Sequence, residues 1–130
     1  SKSMLVLIPQ EGYTHPLLDE SERPTTLIVA AESLPMEIAD NLPAQDGTIG
    51  IRKPKHSLCE ALLRATGKPI VSTSANFSGQ PSPANAGEID PRLKACVDYC
   101  VPALAEFESG EQKASRILKI IGDEITVIRD

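Results

Sequence analysis

Short apolar runs, each closed by turn residues, set the rhythm of this 130-residue chain. Met4 to Ile8 is continuously apolar and stops at Pro9, which predicts a buried strand. Residues 9 to 24 are polar and proline-rich and read as a loop. Thr25 to Ala30 predicts a second strand, and Thr48 to Ile51, after the Asp46-Gly47 turn, a third that ends at Arg52-Lys53-Pro54. Between them Ser33 is placed to cap a short helix, with Pro35 in its first turn and Leu34, Ile38 and Leu42 at helical spacing. The clearest helix spans Ser57 to Thr66: Leu58, Ala61, Leu62 and Ala65 share a face, Glu60 and Arg64 pair across one turn, and Gly67 supplies the stop. Ile70-Val71 is a short strand feeding a hydroxyl-rich loop. Residues 80 to 90 read as loop, Pro91 opens a helix through Leu93, Ala95 and Cys96, and Tyr99 to Val101 is a short strand. Glu106 to Gln112 is a polar loop, and Ile117 to Ile121 with Ile125 to Ile128 form a hairpin around Gly122-Asp123. Strands interleaved with helices in mixed order predict an α/β sheet protein, α+β in some schemes. No internal repeat or low-complexity tract interrupts the pattern.

Composition narrows the function classes. The length suits a single domain over residues 1–130. No apolar run approaches the ~20 residues of a membrane span, so the expected location is cytoplasmic, with no membrane partner. A net charge of −5 and the absence of Trp argue against a tight nucleic-acid module, while leaving room for a small anion held by a few local donors. Three cysteines are an odd count that does not suit a disulfide framework. Cys96 and Cys100 would share a helix face if that stretch is helical, and all three, with Cys59, read best as buried reduced thiols. His15 and His56 have no metal-like spacing, and His56 reads as a solvated side chain near the start of the main helix.

The candidate chemistry centres on residues 69 to 79, Pro-Ile-Val-Ser-Thr-Ser-Ala-Asn-Phe-Ser-Gly. Here a short β-branched run delivers Ser72, Thr73, Ser74, Asn76 and Ser78 to a loop at a strand end, where open α/β sheets bind ligands. Such side chains donate hydrogen bonds to phosphate or carboxylate oxygens, although they also bond their own backbone in plain turns. No glycine precedes these serines as a nucleophile elbow requires, and no Walker loop is present. What remains is a donor set without a nucleophile: Thr48, Arg52, the 72–79 loop, Ser115 and Arg129. Reactions that join an acid to a nucleotide α-phosphate need such equipment, because the substrate's own oxygen attacks and the protein aligns and neutralises. For each arginine taken alone, a surface charge or structural ion pair is the simpler reading.

The run Pro69 to Gly79 followed by Gln-Pro-Ser-Pro resembles the YrdC-like threonylcarbamoyl-AMP synthase family. Gly47-Thr48-Ile49-Gly50-Ile51-Arg52, Gly67-Lys68-Pro69, the opening strand, Pro24-Thr25-Thr26-Leu27-Ile28 and the closing Ile125-to-Arg129 follow that family's order, so the likeness covers nearly the whole chain. It implies a twisted, mixed and mostly parallel sheet with helices around it. It implies condensation of L-threonine, bicarbonate and ATP to threonylcarbamoyl-AMP and pyrophosphate, with Mg2+ on the phosphates. A separate transferase complex would then carry the group to adenosine 37 of tRNA. By position, Thr48, Asn76 and Arg129 resemble ATP contacts, and Arg52, Ser74 and Ser115 resemble threonine contacts. Ser72 resembles a pocket-lining position. The family's Pro-Thr-Asp-Thr-x-Tyr-Gly and Lys-x-Arg segments do not occur in these 130 residues, which are therefore expected to be part of a longer, N-terminally extended chain, inactive alone. Arg116 stands where the family has Thr or Ser, and Leu7 where it often has His. Two alternatives stay open: a non-catalytic double-stranded-RNA-binding or ribosome-associated factor of the same fold, with weak RNA contact, and a paralogue acting on another carbamoyl compound.

Overall fold

The computed structural model describes residues 5–83, 85–102 and 115–130. These fall into two compact units, one of residues 5–72 and 115–130, the other of residues 73–102.

The larger unit is built on one six-stranded sheet. Its strands are β1 (Val6–Ile8), β2 (Thr25–Ala30), β3 (Thr48–Arg52), β4 (Ile70–Ser72), β5 (Arg116–Ile121) and β6 (Glu124–Arg129), in spatial order β4-β1-β3-β2-β5-β6. β1 runs parallel to β3 and β2 parallel to β5, while β1/β4, β2/β3 and β5/β6 are antiparallel. The sheet is mixed, as expected, but leans to antiparallel pairs rather than parallel ones. The reason is visible in β5 and β6, whose two-residue connection permits only a hairpin. Gly122, with φ +58, stands first in that turn, as a type II′ geometry requires.

Alternation along the paired strands sorts the side chains onto two faces. Leu7, Ile51, Leu27 and Leu118 lie side by side in register on one face, joined along the strands by Ile49 and Val29, and all six are buried. This is the core. Removing Leu7, Leu27 and Ile51 from water contributes about 1.5–3 kcal/mol each. The cover comes from α1 (Pro16–Asp19), which contributes Leu17 and Leu18, and from the segment carrying Ala31, Leu34, Met36, Ile38 and Leu42.

That covering segment is not the helix its spacing predicts. Only a 3-10 turn forms, Ala31–Ser33, and the chain then runs irregularly. The Ser33 hydroxyl donates back to the Ala30 carbonyl at 2.6 Å, and Leu34, directly before Pro35, is forced to an extended ψ of 143°. The apolar residues still reach the core, delivered by an irregular backbone.

Conversely, the expected loop at 9–24 contains α1, four residues begun by Pro16 and capped by His15. The His15 Nδ1 accepts from the Leu17 N–H at 3.2 Å. The predicted helix at 57–66 is α2 (Ser57–Thr66), ended by Gly67 at φ +66, whose N–H bonds the Leu63 carbonyl. His56, expected to be merely solvated, is its N-cap, with Nδ1 accepting from the Leu58 N–H at 3.2 Å.

In the smaller unit, the helix opened by Pro91 is α3 (Pro91–Lys94), capped by Asp90 and shorter than expected. Residues 99–101 form no strand, and Tyr99 is exposed. Cys96 and Cys100 are exposed rather than buried and do not share a helix face, because α3 ends at Lys94. Cys59, in α2, is half-buried, and that burial raises its thiol pKa. The polar 106–112 stretch and residue Met4 of the opening strand lie outside the described residues.

Candidate functional site

The sheet's second face gathers the candidates of the larger unit. Arg52, Thr26, Ile117 and Arg129 form one row across β3, β2, β5 and β6. A second row runs Ser72, Val6, Gly50, Ile28, Lys119 and Thr126, and Thr48 sits further along β3 opposite Ala30. Thr48, Arg52, Ser72 and Arg129 therefore share the face opposite the core, and Ser115 joins them through its hydrogen bond to Thr26. Arg129 reaches this face because the β5/β6 ladder slips between Ile117 and Leu118: Leu118 pairs with Val127, but Ile117 pairs with Arg129. Without that bulge Arg129 would point to the same side as Val127.

Strand spacing gives the scale. Three strand gaps separate Arg52 from Arg129, roughly 14 Å between backbones, and four residues separate Thr48 from Arg52, roughly 13 Å. Arg52 donates no hydrogen bond to the described residues, and its charge acts on the Cys59 thiol, opposing the burial that raises it. Lys119 adds a third cation to the face.

The most densely hydrogen-bonded part of the face is the Thr26–Ser115–Arg129 cluster. Thr26, buried in β2, and Ser115 share a hydrogen bond between hydroxyls at 2.8 Å. The Arg129 guanidinium donates to the Ser115 carbonyl twice, from Nε at 2.9 Å and Nη2 at 2.7 Å, and Nη2 lies 3.5 Å from the Ser115 hydroxyl. Arg129 is thus fixed by its inner edge, while its Nη1 donates to none of the described residues.

At the other end of β3 the proton of Thr48 is already committed. Its hydroxyl donates to Asp46 Oδ1 at 2.6 Å, its N–H to the same oxygen at 3.1 Å, and Lys119 Nζ stands 3.5 Å from the other carboxylate oxygen. These contacts, the Thr48 hydroxyl first, hold Asp46 below the usual carboxylate range. Thr48 therefore presents acceptor lone pairs, suited to a hydroxyl or amino group rather than to an anion.

Ser74 and Asn76 belong to the smaller unit. Both are half-buried. The Asn76 amide donates to the Phe77 and Gln80 carbonyls at 3.0 and 2.9 Å, closing the loop on itself, while its Oδ1 is buried with no partner among the described residues. Phe77 lies under the Arg92 guanidinium, 5.3 Å from ring centre to the charge, and Arg92 also pairs with Asp90.

Two departures from the family pattern fall away from this face. Arg116 and Leu7 both alternate onto the core side, Leu7 as a central core residue. Thr26, Lys119 and Asp46 carry no site assignment in the sequence, since their placement depends on strand pairing. A hollow lined by Gln10, Glu11, Gly12, Tyr13, Thr14 and Pro35 holds none of the candidate residues. Among the described residues no three His, Cys, Asp or Glu side chains cluster to hold a metal ion, and no helix is long and apolar enough to cross a membrane.

Sheet and face together define an α/β protein with hydroxyls and cations concentrated on one side of a mixed sheet. A family model, Sua5/YciO/YrdC, described as "Telomere recombination", matches residues 6–130, and the chain belongs to that family. It is 37% identical over 79 residues to a threonylcarbamoyl-AMP synthase of Bacillus subtilis (strain 168), covering 58% of this chain and 23% of that protein. A threonylcarbamoyl-AMP synthase of Serratia proteamaculans (strain 568) is 33% identical, with 78% and 50% covered. One from Haemophilus influenzae (strain 86-028NP) is 30% identical, with 89% and 67% covered. The chain thus spans only part of the length of these curated relatives, a half or less of the first two. No solved structure matches it.

Proposed function

We propose that this chain is the nucleotide- and threonine-binding portion of a threonylcarbamoyl-AMP synthase, condensing L-threonine, bicarbonate and ATP to threonylcarbamoyl-AMP with release of pyrophosphate. The observation that carries the reading is the common face of Thr48, Arg52, Ser72, Ser115 and Arg129. The names of its relatives support it.

In this reading Thr48 accepts a hydrogen bond from the nucleoside, and Arg129 turns its Nη1 donors to the nucleotide phosphates. Arg52 holds the threonine carboxylate through its planar fork. Ser115 contacts threonine, and Ser72 lines the pocket. The protein supplies alignment and charge compensation, and the carbamate oxygen of the substrate attacks the α-phosphorus. Mg2+ would come bound to the triphosphate oxygens. The product would pass to a cytoplasmic transferase acting on tRNA.

Pyrophosphate release tests the activity. It is expected only when ATP, threonine and bicarbonate are all present, and release indifferent to threonine overturns the reading. The same assay with other amino acids tests the paralogue alternative. Arg116, the departure from the family pattern that would suit such a paralogue, alternates to the core side of the sheet, away from the candidate face.

A further inference from the structure

A buried hydroxyl must place its proton somewhere, and for Thr26 the choice is narrow. Its side chain is 1% exposed, and Ser115 Oγ is its hydrogen-bond partner among the described residues. If Ser115 donated, the Thr26 proton would be left buried without an acceptor, which costs more than the bond returns. Ser115 is also buried, at 8% exposure, but it is the less enclosed of the two and lies beside the Arg129 N–H donor, so Thr26 donates and Ser115 accepts. The nearest Arg129 N–H, 3.5 Å away, is also a donor and cannot take the Ser115 proton. The Ser115 hydroxyl is left with a proton and no acceptor among the described residues, beside a guanidinium whose inner edge is locked to the Ser115 carbonyl.

We propose that Thr26 is a positioning residue for substrate binding: by donating to Ser115 it turns the Ser115 hydroxyl into an obligate donor to an anionic oxygen of the ligand, a carboxylate or a phosphoryl group. This rests on the functional reading above and adds a residue to it. It also gives the face polarity. The Thr48 end accepts, because its proton is committed to Asp46, and the Ser115 end donates.

The test measures binding to the full chain by calorimetry for two ligand pairs, L-threonine against L-threoninol and AMP against adenosine. Each pair differs by the anionic group, so the pair whose affinity ratio depends on Ser115 identifies the anion. For that pair, Thr26→Val is expected to cut the ratio on the order of tenfold, and Thr26→Ser to restore it. In a Ser115→Ala background Thr26→Val should have no further effect. Melting temperatures of all variants report any structural loss separately. Wild-type binding with a ratio unmoved by Thr26→Val, or a Thr26→Val effect that persists in Ser115→Ala, overturns the proposal and leaves the functional reading standing. A wild-type chain that binds neither L-threonine nor AMP overturns both.

Discussion

Two regions of this molecule carry polar side chains suited to an anionic ligand, and they are held in opposite ways. On the sheet, Ser115 and Arg129 are set by strand pairing, by a bulge and by three hydrogen bonds at 2.9 Å or less, all within one ladder of β2, β5 and β6. In the 73–80 loop, Asn76 is held by its own neighbours, the Phe77 and Gln80 carbonyls. The strand cluster gets its geometry from the core behind it, whereas the loop folds around one amide. Preorganised donors on rigid elements hold their aim at little cost on binding. A self-closed loop keeps only the groups it has not used, here Asn76 Oδ1.

The largest expected effect strikes the core behind the strand cluster. Leu27 is fully buried between Ile51 and Leu118, one residue beyond Thr26. Leu27→Ala should cost about 2–5 kcal/mol in urea unfolding, whereas Val127→Ala on exposed β6 should stay within about 0.5 kcal/mol. Equal losses would show that the sheet is not anchored at its centre. Next comes Arg129. Arg129→Ala is expected to weaken AMP binding by about tenfold or more, from loss of a charge-assisted contact. Arg129→Lys should recover little, because an ammonium cannot reproduce the Nε/Nη2 grip on the Ser115 carbonyl. Full recovery by lysine would mean that charge alone matters and the locked fork does not. The loop should respond less. Asn76→Ala removes two neutral hydrogen bonds worth about 1 kcal/mol each, and Asn76→Asp keeps the acceptor while losing both donors. If the loop serves only its own closure, the two variants should lose nucleotide affinity alike. A better-binding Asp variant would favour Oδ1 as a ligand contact.

These two regions were unequally legible in the sequence. The loop is conspicuous, because six polar or turn residues among the eight of 72–79 need no tertiary knowledge to be noticed. The strands were also legible, since apolar runs bounded by Pro, Gly and Asp mark them locally. What the sequence left out is which strands lie side by side. Thr26 and Ser115 are 89 residues apart and become a pair only through the parallel β2/β5 register. Lys119 interrupts the apolar run from Ile117 to Ile121, whose face no local pattern assigns. The helix expected at 33–42 failed for a physical reason that competes with periodicity: Ser33 bonded backward to Ala30, and Pro35 held Leu34 extended. Neither His15 nor His56 is legible as a cap in the sequence, because an imidazole is an unusual acceptor for a helix N-terminus. The family resemblance assigns a ligand to each candidate, and strand register explains why Arg116 and Leu7 can depart from the family pattern without altering the candidate face.

The smallest expected effect tests the acceptor end of the same face. Asp46 takes the Thr48 hydroxyl and N–H and faces Lys119, and these contacts lower its pKa. A carboxylate with a lowered folded-state pKa contributes stability above its unfolded value, near pH 4, and loses that contribution as pH falls through the lowered one. Asp46→Asn keeps an oxygen for Thr48 but removes the charge, so it should melt slightly below wild type at neutral pH. The gap should close as the medium is acidified below about pH 4. Asp46 is well exposed, so the gap should be small and should shrink with added salt. The paired scans cancel every other carboxylate, including Asp19, whose pKa is lowered by its hydrogen bond to Lys53 in both proteins. A gap that stays constant across the acid range would mean that the Asp46 charge contributes nothing. The Thr48 proton would then be held by an ordinary neutral hydrogen bond, and the contrast between an accepting Thr48 and a donating Ser115 would rest on geometry alone.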